Sequence, residues 1–283
     1  MKVSWITIFL FFAVATTHFS TVNTKTTFSQ RMALLFLHTM CCYAQFTVMH
    51  DASHWSLAPG VPFINDLFGW MSQIWLGPSV NFWTFRYIHR MHHKYTNDPE
   101  KDPDIFAKSG SFGGPLLMPL RWLFIDVAYW KYYVPKIIPG YHTRPLKEVF
   151  VVWLYHVAIF SVIISTIYTG HFHILWWNWI LPSRLAKLML AFAFDYLPHK
   201  NHKDTPQTNV YKTTHYISTP RFLEPIVSML LFNHNYHIIH HLYPHIPYYN
   251  YATGWLKHKD FLLNDAKVDV LRLFPYLGKE NIS

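Results

Sequence analysis

Apolar residues fall in long blocks along this chain, separated by polar and basic stretches, and the blocks set its organisation. The first, Val3 to Phe19, follows Lys2. It has the length and charged start of a signal peptide but lacks a small-residue cleavage site, and a second block follows closely. A first transmembrane helix is therefore the expectation. After the short polar stretch Thr21 to Arg31, Met32 to Met49 forms a second span of borderline length and closes a hairpin. Phe63 to Val80 is apolar but interrupted by Gly69, Gly77 and Pro78, which predicts a half-buried or re-entrant segment.

Arg86 to Leu146 is polar and basic, and within it Leu116 to Val134 is aromatic and amphipathic, as expected of a helix lying in the interface. Glu148 to Tyr168 is the clearest span. The tryptophan-rich stretch Gly170 to Pro182 suits a membrane–water boundary. Ser183 is placed to cap a returning segment, Arg184 to Tyr196. Phe222 to Phe232 is amphipathic, and the chain after Tyr251 is soluble. These elements predict an all-α integral membrane protein with about four transmembrane helices in two hairpins. No repeat or linker divides it, so residues 1–283 form one domain. Within it, 1–49 is the first hairpin, 50–147 a cytosolic and interfacial region, 148–196 the second hairpin, and 197–283 a cytosolic region.

Charge orients this arrangement. Region 50–147 holds ten Lys and Arg and region 195–283 holds nine, with Lys2 on the same side. The opposite side keeps Lys25, Arg31, Arg184 and Lys187. The positive-inside bias makes the richer side cytosolic, and the endoplasmic reticulum is the expected membrane. A basic face, part of a net charge of +9, attracts anionic headgroups and steers an acidic protein partner. No nucleic-acid partner is expected. Cys41 and Cys42 adjoin inside an apolar run and read as buried thiols rather than a disulfide framework.

Twenty histidines are more than structural roles require, and some are regularly spaced. His237, His240 and His241 stand at i, i+3 and i+4, one face of a helix. His89, His92 and His93 repeat that spacing, and His50 and His54 stand at i and i+4. All three clusters fall just beyond membrane segments on the predicted cytosolic side. Neutral imidazole binds iron, zinc and copper. Eight ligands exceed what one ion uses and fit two ions. His199, in YLPHKNH, is the favoured ninth ligand, with His202 beside it. Asn233 and His234, one turn before His237, are further candidates for a ligand or water-held contact. Asp51, Asp98, Asp102, Asp104 and Asp195 are placed in sequence to receive the second N–H of a ligating histidine. For Asp98 and Asp102 the alternative is a solvated Asp-Pro turn.

The motifs HDASH, HRMHH and HIIHH resemble, in type, order and spacing, the three histidine boxes of the membrane fatty acid desaturase/hydroxylase superfamily. HHKYTNDPEKDPD, FDYLPHKNH and NYHIIHHLYPHIPYY are similar to its carotenoid hydroxylase and bacterial-type desaturase branch. The resemblance implies four membrane helices under a cytosolic helical cap. It implies a non-haem di-iron centre held by His50, His54, His89, His92, His93, His199, His237, His240 and His241. It also implies O2 as co-substrate and a long apolar lipid, such as a fatty acyl chain, as substrate. The sequence contains no HPGG or GxGxxG motif, so electrons are expected from a separate protein such as cytochrome b5 or ferredoxin. Desaturation and hydroxylation both stay open, with desaturation favoured. A zinc-dependent membrane hydrolase and a non-catalytic metal-binding protein are the rival readings.

Overall fold

The computed structural model describes residues 2–23, 25–79, 81–108, 113–138 and 140–277. Parts of the predicted stretches Thr21–Arg31, Phe63–Val80 and Arg86–Leu146, and the last residues of the tail, lie outside the described residues. The chain is mostly helical and divides into two compact units. Unit 1 comprises residues 1–89 and 119–190, and unit 2 comprises residues 90–118 and 191–283.

Unit 1 begins with an antiparallel hairpin, α1 (Trp5–Thr21) and α2 (Phe28–Ser53). Ser4 caps α1, and Thr27 with Gln30 forms a reciprocal capping box that starts α2. The hairpin is tied at both ends. Ser4 N–H donates to Leu57 O at 2.7 Å, and Thr21 Oγ1 lies 3.0 Å from His38 Nε2. α3 (Pro62–Gln73) has proline in its first turn. Gly69 does not break it. A Cβ there would lie 2.1 Å from the Phe82 ring, so glycine permits a close approach rather than a turn. α4 (Phe82–Tyr95) follows, with Asn81 Oδ1 accepting from Thr84 N–H at its start.

The single interfacial helix predicted over Leu116–Val134 is instead two, α5 (Met118–Leu123) and α6 (Ile125–Tyr133), parted at Phe124. α7 (Leu146–Tyr168) matches the clearest predicted span. Within the predicted boundary stretch Gly170–Pro182, the chain is helical from Phe172 on. α8 (Phe172–Leu175) passes through a π turn, Trp176–Ile180, into α9 (Leu181–Leu190). The wide turn precedes Pro182, which has no N–H to give. Ser183 therefore lies inside a helix, where its hydroxyl donates to Ile180 O, and is not a cap.

Arg184 and Lys187, counted above with the opposite side, are paired inside unit 1. Both bind Asp126, at 2.6 and 2.7 Å, and Ser79 joins them. A charge buried among apolar helices needs such a partner. In unit 1 α2 packs against α1, α3 and α9, and Cys41 and Cys42 are buried free thiols on it.

Among the described residues two helices, α2 and α7, are long and apolar enough to cross a membrane. At 1.5 Å per residue they extend about 39 and 35 Å, against a hydrocarbon core of about 30 Å. α1 is apolar but shorter.

Unit 2 opens with the end of α4 and a 3₁₀ turn, Pro103–Ala107, capped by Asp102. A second π turn, Ala191–Tyr196, leads to α10 (Pro206–Asn209), α11 (Glu224–Leu230), α12 (His237–Leu242) and α13 (Tyr251–Asp260). The all-α expectation misses one detail. β1 (Tyr216–Ser218) pairs in parallel with β2 (Val270–Arg272), Tyr216 opposite Val270. The Tyr216 ring stacks on Trp255 of α13 at 3.9 Å.

Candidate metal-binding histidine clusters

In unit 1 the last turn of α2 presents His50, and His54 forms its C-cap. α4 brings His89 to them. One nitrogen of each of the three imidazoles lies within 4.8 Å of the others. The ring centroids are 4.7–5.0 Å apart. Phe85, one turn before His89, stacks nearly parallel on its ring at 5.2 Å, and Phe46 lies 5.7 Å from His50. Asp51 accepts from Thr7 Oγ1 at 2.9 Å and stands 4.0 Å from His50 Nδ1. At 4.0 Å it accepts no hydrogen bond from His50 Nδ1, unlike the predicted role, and the carboxylate is anchored instead to the start of α1.

In unit 2 nitrogens of His92, His199, His237 and His241 lie within 4.8 Å of one another, as do those of His93, His240 and His241. Local backbone explains the approach of α12. Asn233 adopts a left-handed conformation, φ 59°, open to asparagine at small cost. It turns the chain so that a 3₁₀ turn feeds His237. Pro244 and Pro247 then prevent the helix from continuing.

Hydrogen bonds fix which nitrogen of each ring is bare. His92 Nδ1–H donates to Asp102 Oδ1 at 2.9 Å, and Asp104 Oδ2 is 3.2 Å away. His199 Nδ1–H donates to the carbonyl of Thr213 at 3.1 Å. The Nε2 atoms of both rings are left as lone pairs. His199 and His237 approach Nε2 to Nε2 at 3.1 Å, His237 and His241 at 3.1 Å, and His93 and His240 at 2.8 Å. Tyr251 Oη lies 3.0 Å from His240 Nδ1. Lone pairs converging in a buried space repel one another, and a cation between them removes the repulsion. The donor set fits a metal ion with a taste for imidazole.

The electrostatics agree for four of these rings. Burial, aided by neighbouring imidazoles, holds His93, His199, His237 and His241 well below the usual histidine range, so they stand neutral, the ligating form. Burial opposes charge on His92 too, but Asp102 and Asp104 override it and raise its pKa.

The remaining predicted residues divide. Asp102 and Asp104 orient a histidine as expected. Asp98 does not. Its carboxylate accepts from the N–H groups of Glu100 and Lys101 in an exposed turn, the Asp-Pro alternative. His202 stands apart from the clusters, against His215 at 4.1 Å and Asp269 at 3.6 Å. His234 is buried on Phe194 at 4.2 Å, its Nδ1 near the carbonyls of Leu231 and Phe232, and belongs to none of the close-nitrogen groups among the described residues. Asn233 serves the turn. Asp195 has Asp104, Asp102 and Lys108 as its charge neighbours rather than a histidine. The sequence reading misses Thr213, which acts through its carbonyl, and Tyr251, fourteen positions after His237, too far for any helical spacing to flag.

Comparison with known proteins accords with this geometry. The family model for fatty acid desaturase matches residues 29–268. The chain belongs to the fatty acid desaturase family, within the membrane desaturase/hydroxylase superfamily of oxidoreductases. It is similar to the dihydrorhizobitoxine desaturase of Bradyrhizobium elkanii, 26% identical over 237 residues, which is 75% of this chain and 61% of that protein. It is also similar to the beta-carotene ketolases of two Paracoccus strains, 26% and 27% identical over 207 residues, 72% of this chain and 70% of theirs. The chain thus spans less than two thirds of the length of the desaturase it matches.

Proposed function

We propose that this protein is an integral membrane, non-haem di-iron oxidoreductase that desaturates, or hydroxylates, a long apolar lipid such as a fatty acyl chain. The observation that carries the reading is the convergence of His92, His199, His237 and His241, with two ring tautomers fixed from outside. The nine histidines that come together within the two units are the proposed iron ligands. The chemistry such ions supply when bound is activation of O2 to an oxidant able to attack an unactivated C–H bond. The chain's own part is positional. Asp102 and the Thr213 carbonyl hold His92 and His199 in the tautomer that leaves Nε2 bare. Tyr251 braces His240, and burial keeps His93, His199, His237 and His241 neutral.

The family match runs unbroken through both units, which supports treating the chain as one functional domain. We place α1, α2, α7 and the helical run from Phe172 to Tyr196 as four membrane helices in two hairpins, with the histidines cytosolic beneath a helical cap. With Arg184 and Lys187 bound to Asp126, the far side keeps only Lys25 and Arg31, which strengthens the positive-inside argument. The relatives compared are bacterial, so the endoplasmic reticulum draws no support from them. Electrons would come from a separate donor such as cytochrome b5 or ferredoxin.

A second reading, oxidation of a carotenoid, rests on the two ketolases among the relatives. Lipid profiling of cells expressing wild type or His240→Ala separates these outcomes. We expect a new double bond or hydroxyl with wild type and none with the mutant, which still inserts. A product that persists in His240→Ala refutes the ligand assignment, and zinc with no iron in the purified protein would favour a hydrolase.

A further inference from the structure

We infer that Asn97 is a positioning residue that couples the two outer contacts of the unit 2 histidine cluster, an inference resting on the metal reading above. Two acceptors orient the cluster from outside, the Asp102 carboxylate for His92 and the Thr213 carbonyl for His199. Asn97 donates to both. Its backbone N–H reaches Asp102 Oδ2 at 2.8 Å, and its Nδ2 reaches Thr213 O at 2.9 Å. The second Nδ2 proton goes to Asp204 O at 2.7 Å, and Lys108 Nζ donates to Oδ1. The amide orientation follows from chemistry, since carbonyls only accept and an ammonium only donates.

The residue is buried and its backbone is left-handed, φ 68°. That conformation aims the N–H at Asp102 while the side chain turns toward residues 204 and 213. Thr213 O therefore receives two donors, Asn97 and His199, at 2.9 and 3.1 Å. Each occupies one lone pair, so the carbonyl cannot swing without losing a bond. Asp102 is likewise gripped at one oxygen by Asn97 and at the other by His92. One residue thus fixes the direction of two Nε2 lone pairs that reach the cluster from separate elements. Only asparagine among common residues combines an amide of this length with tolerance of positive φ.

The test uses Asn97→Gly and Asn97→Asp in the full chain. Glycine accepts the backbone conformation and keeps the N–H to Asp102 but loses both amide donors. Aspartate keeps the shape and loses the donors. Metal-stripped protein is titrated with Co2+ under anaerobic conditions, with visible absorption and chelator competition as readouts. Loss of an outer contact of a metal-bound histidine typically weakens metal binding by about 10–100-fold. We expect that loss for one of two ions in both variants, with altered absorption bands. The other ion should bind as in wild type, and the metal-free melting temperature should stay within a few degrees. Wild-type affinity for both ions in Asn97→Gly overturns the inference alone, and so does an equal loss at both ions with a collapsed melting temperature. Absence of Co2+ uptake by the wild type overturns the metal reading and this inference with it.

Discussion

α2 and α7 pass the same test of length and apolar content, and they do opposite things. In the most apolar window of α2, 56% of residues are buried inside the protein, against 11% for α7. α2 carries His38, Thr39, Gln45, Thr47, His50, Asp51 and Ser53 among its buried positions and is sheathed by α1, α3 and α9. α7 leaves Phe150, Leu154, Val157, Phe160, Ile164 and Ile167 exposed. α7 buries one face, with Glu148, Val149, Val152 and His156, and the apolar remainder left uncovered by the chain is suited to lipid. α2, enclosed over more than half of that window, is an internal support, and its end bears two of the imidazoles. Hydropathy counts residues without knowing their neighbours, so it cannot separate the two roles.

The largest expected effect lies at the polar end of α2. His50→Ala or His54→Ala should reduce turnover at least about 100-fold, the upper range for disturbing even the surroundings of a metal. Product analysis beside an insertion assay checks it. Retained turnover would mean that α2 is only a strut. Next comes the apolar packing of the same helix, at the residue before His50. Met49 is 2% exposed, and Met49→Ala should cost about 2–5 kcal/mol in thermal or denaturant unfolding.

Acid should reach the histidine-bearing segments and spare α7. His93, His199, His237 and His241 have folded pKa values well below their unfolded value of 6.5. Below about pH 6.5 the unfolded chain binds protons that the folded chain refuses, so stability is full above that pH and falls as pH drops. The slope is about 1.4 kcal/mol per pH unit for each such group. Hydrogen exchange of metal-free protein at pH 7 and pH 5 should show the loss in α12 and around His199, with α7 unchanged. Equal protection at both pH values would contradict the neutral assignment. The smallest effect belongs to α7 itself. Val157, 61% exposed, should tolerate alanine within about 0.5 kcal/mol, and a loss like that of Met49→Ala would show that protein, not lipid, covers it.

Much of this was readable beforehand where spacing is periodic. HxxHH at i, i+3, i+4 predicts a shared face, and α4 and α12 present His92, His93, His240 and His241 as that rule demands. The spans over α2 and α7 follow from composition alone. Acceptors supplied by backbone are invisible in side-chain letters, which is why Thr213 escapes notice while Asp102 does not. Long-range pairing is equally hidden. Nothing in the segment of Arg184 and Lys187 announces their pairing with Asp126. Asn233, His234 and His202 have the chemistry of ligands, and only the course of the backbone takes them away from the clusters.

The contact of Gly69 with Phe82 has a consequence for inheritance of the fold. Phe82 is fully buried, and the Arg86 guanidinium lies 4.4 Å over its ring while binding Asp66 of α3 at 2.6 Å. Even the smallest side chain at position 69 would displace the Phe82 ring in the first turn of α4, and His89 rides two turns further along that rod. One missing methyl group therefore acts as a spacer gauge for the unit 1 imidazoles, far from any atom that touches them.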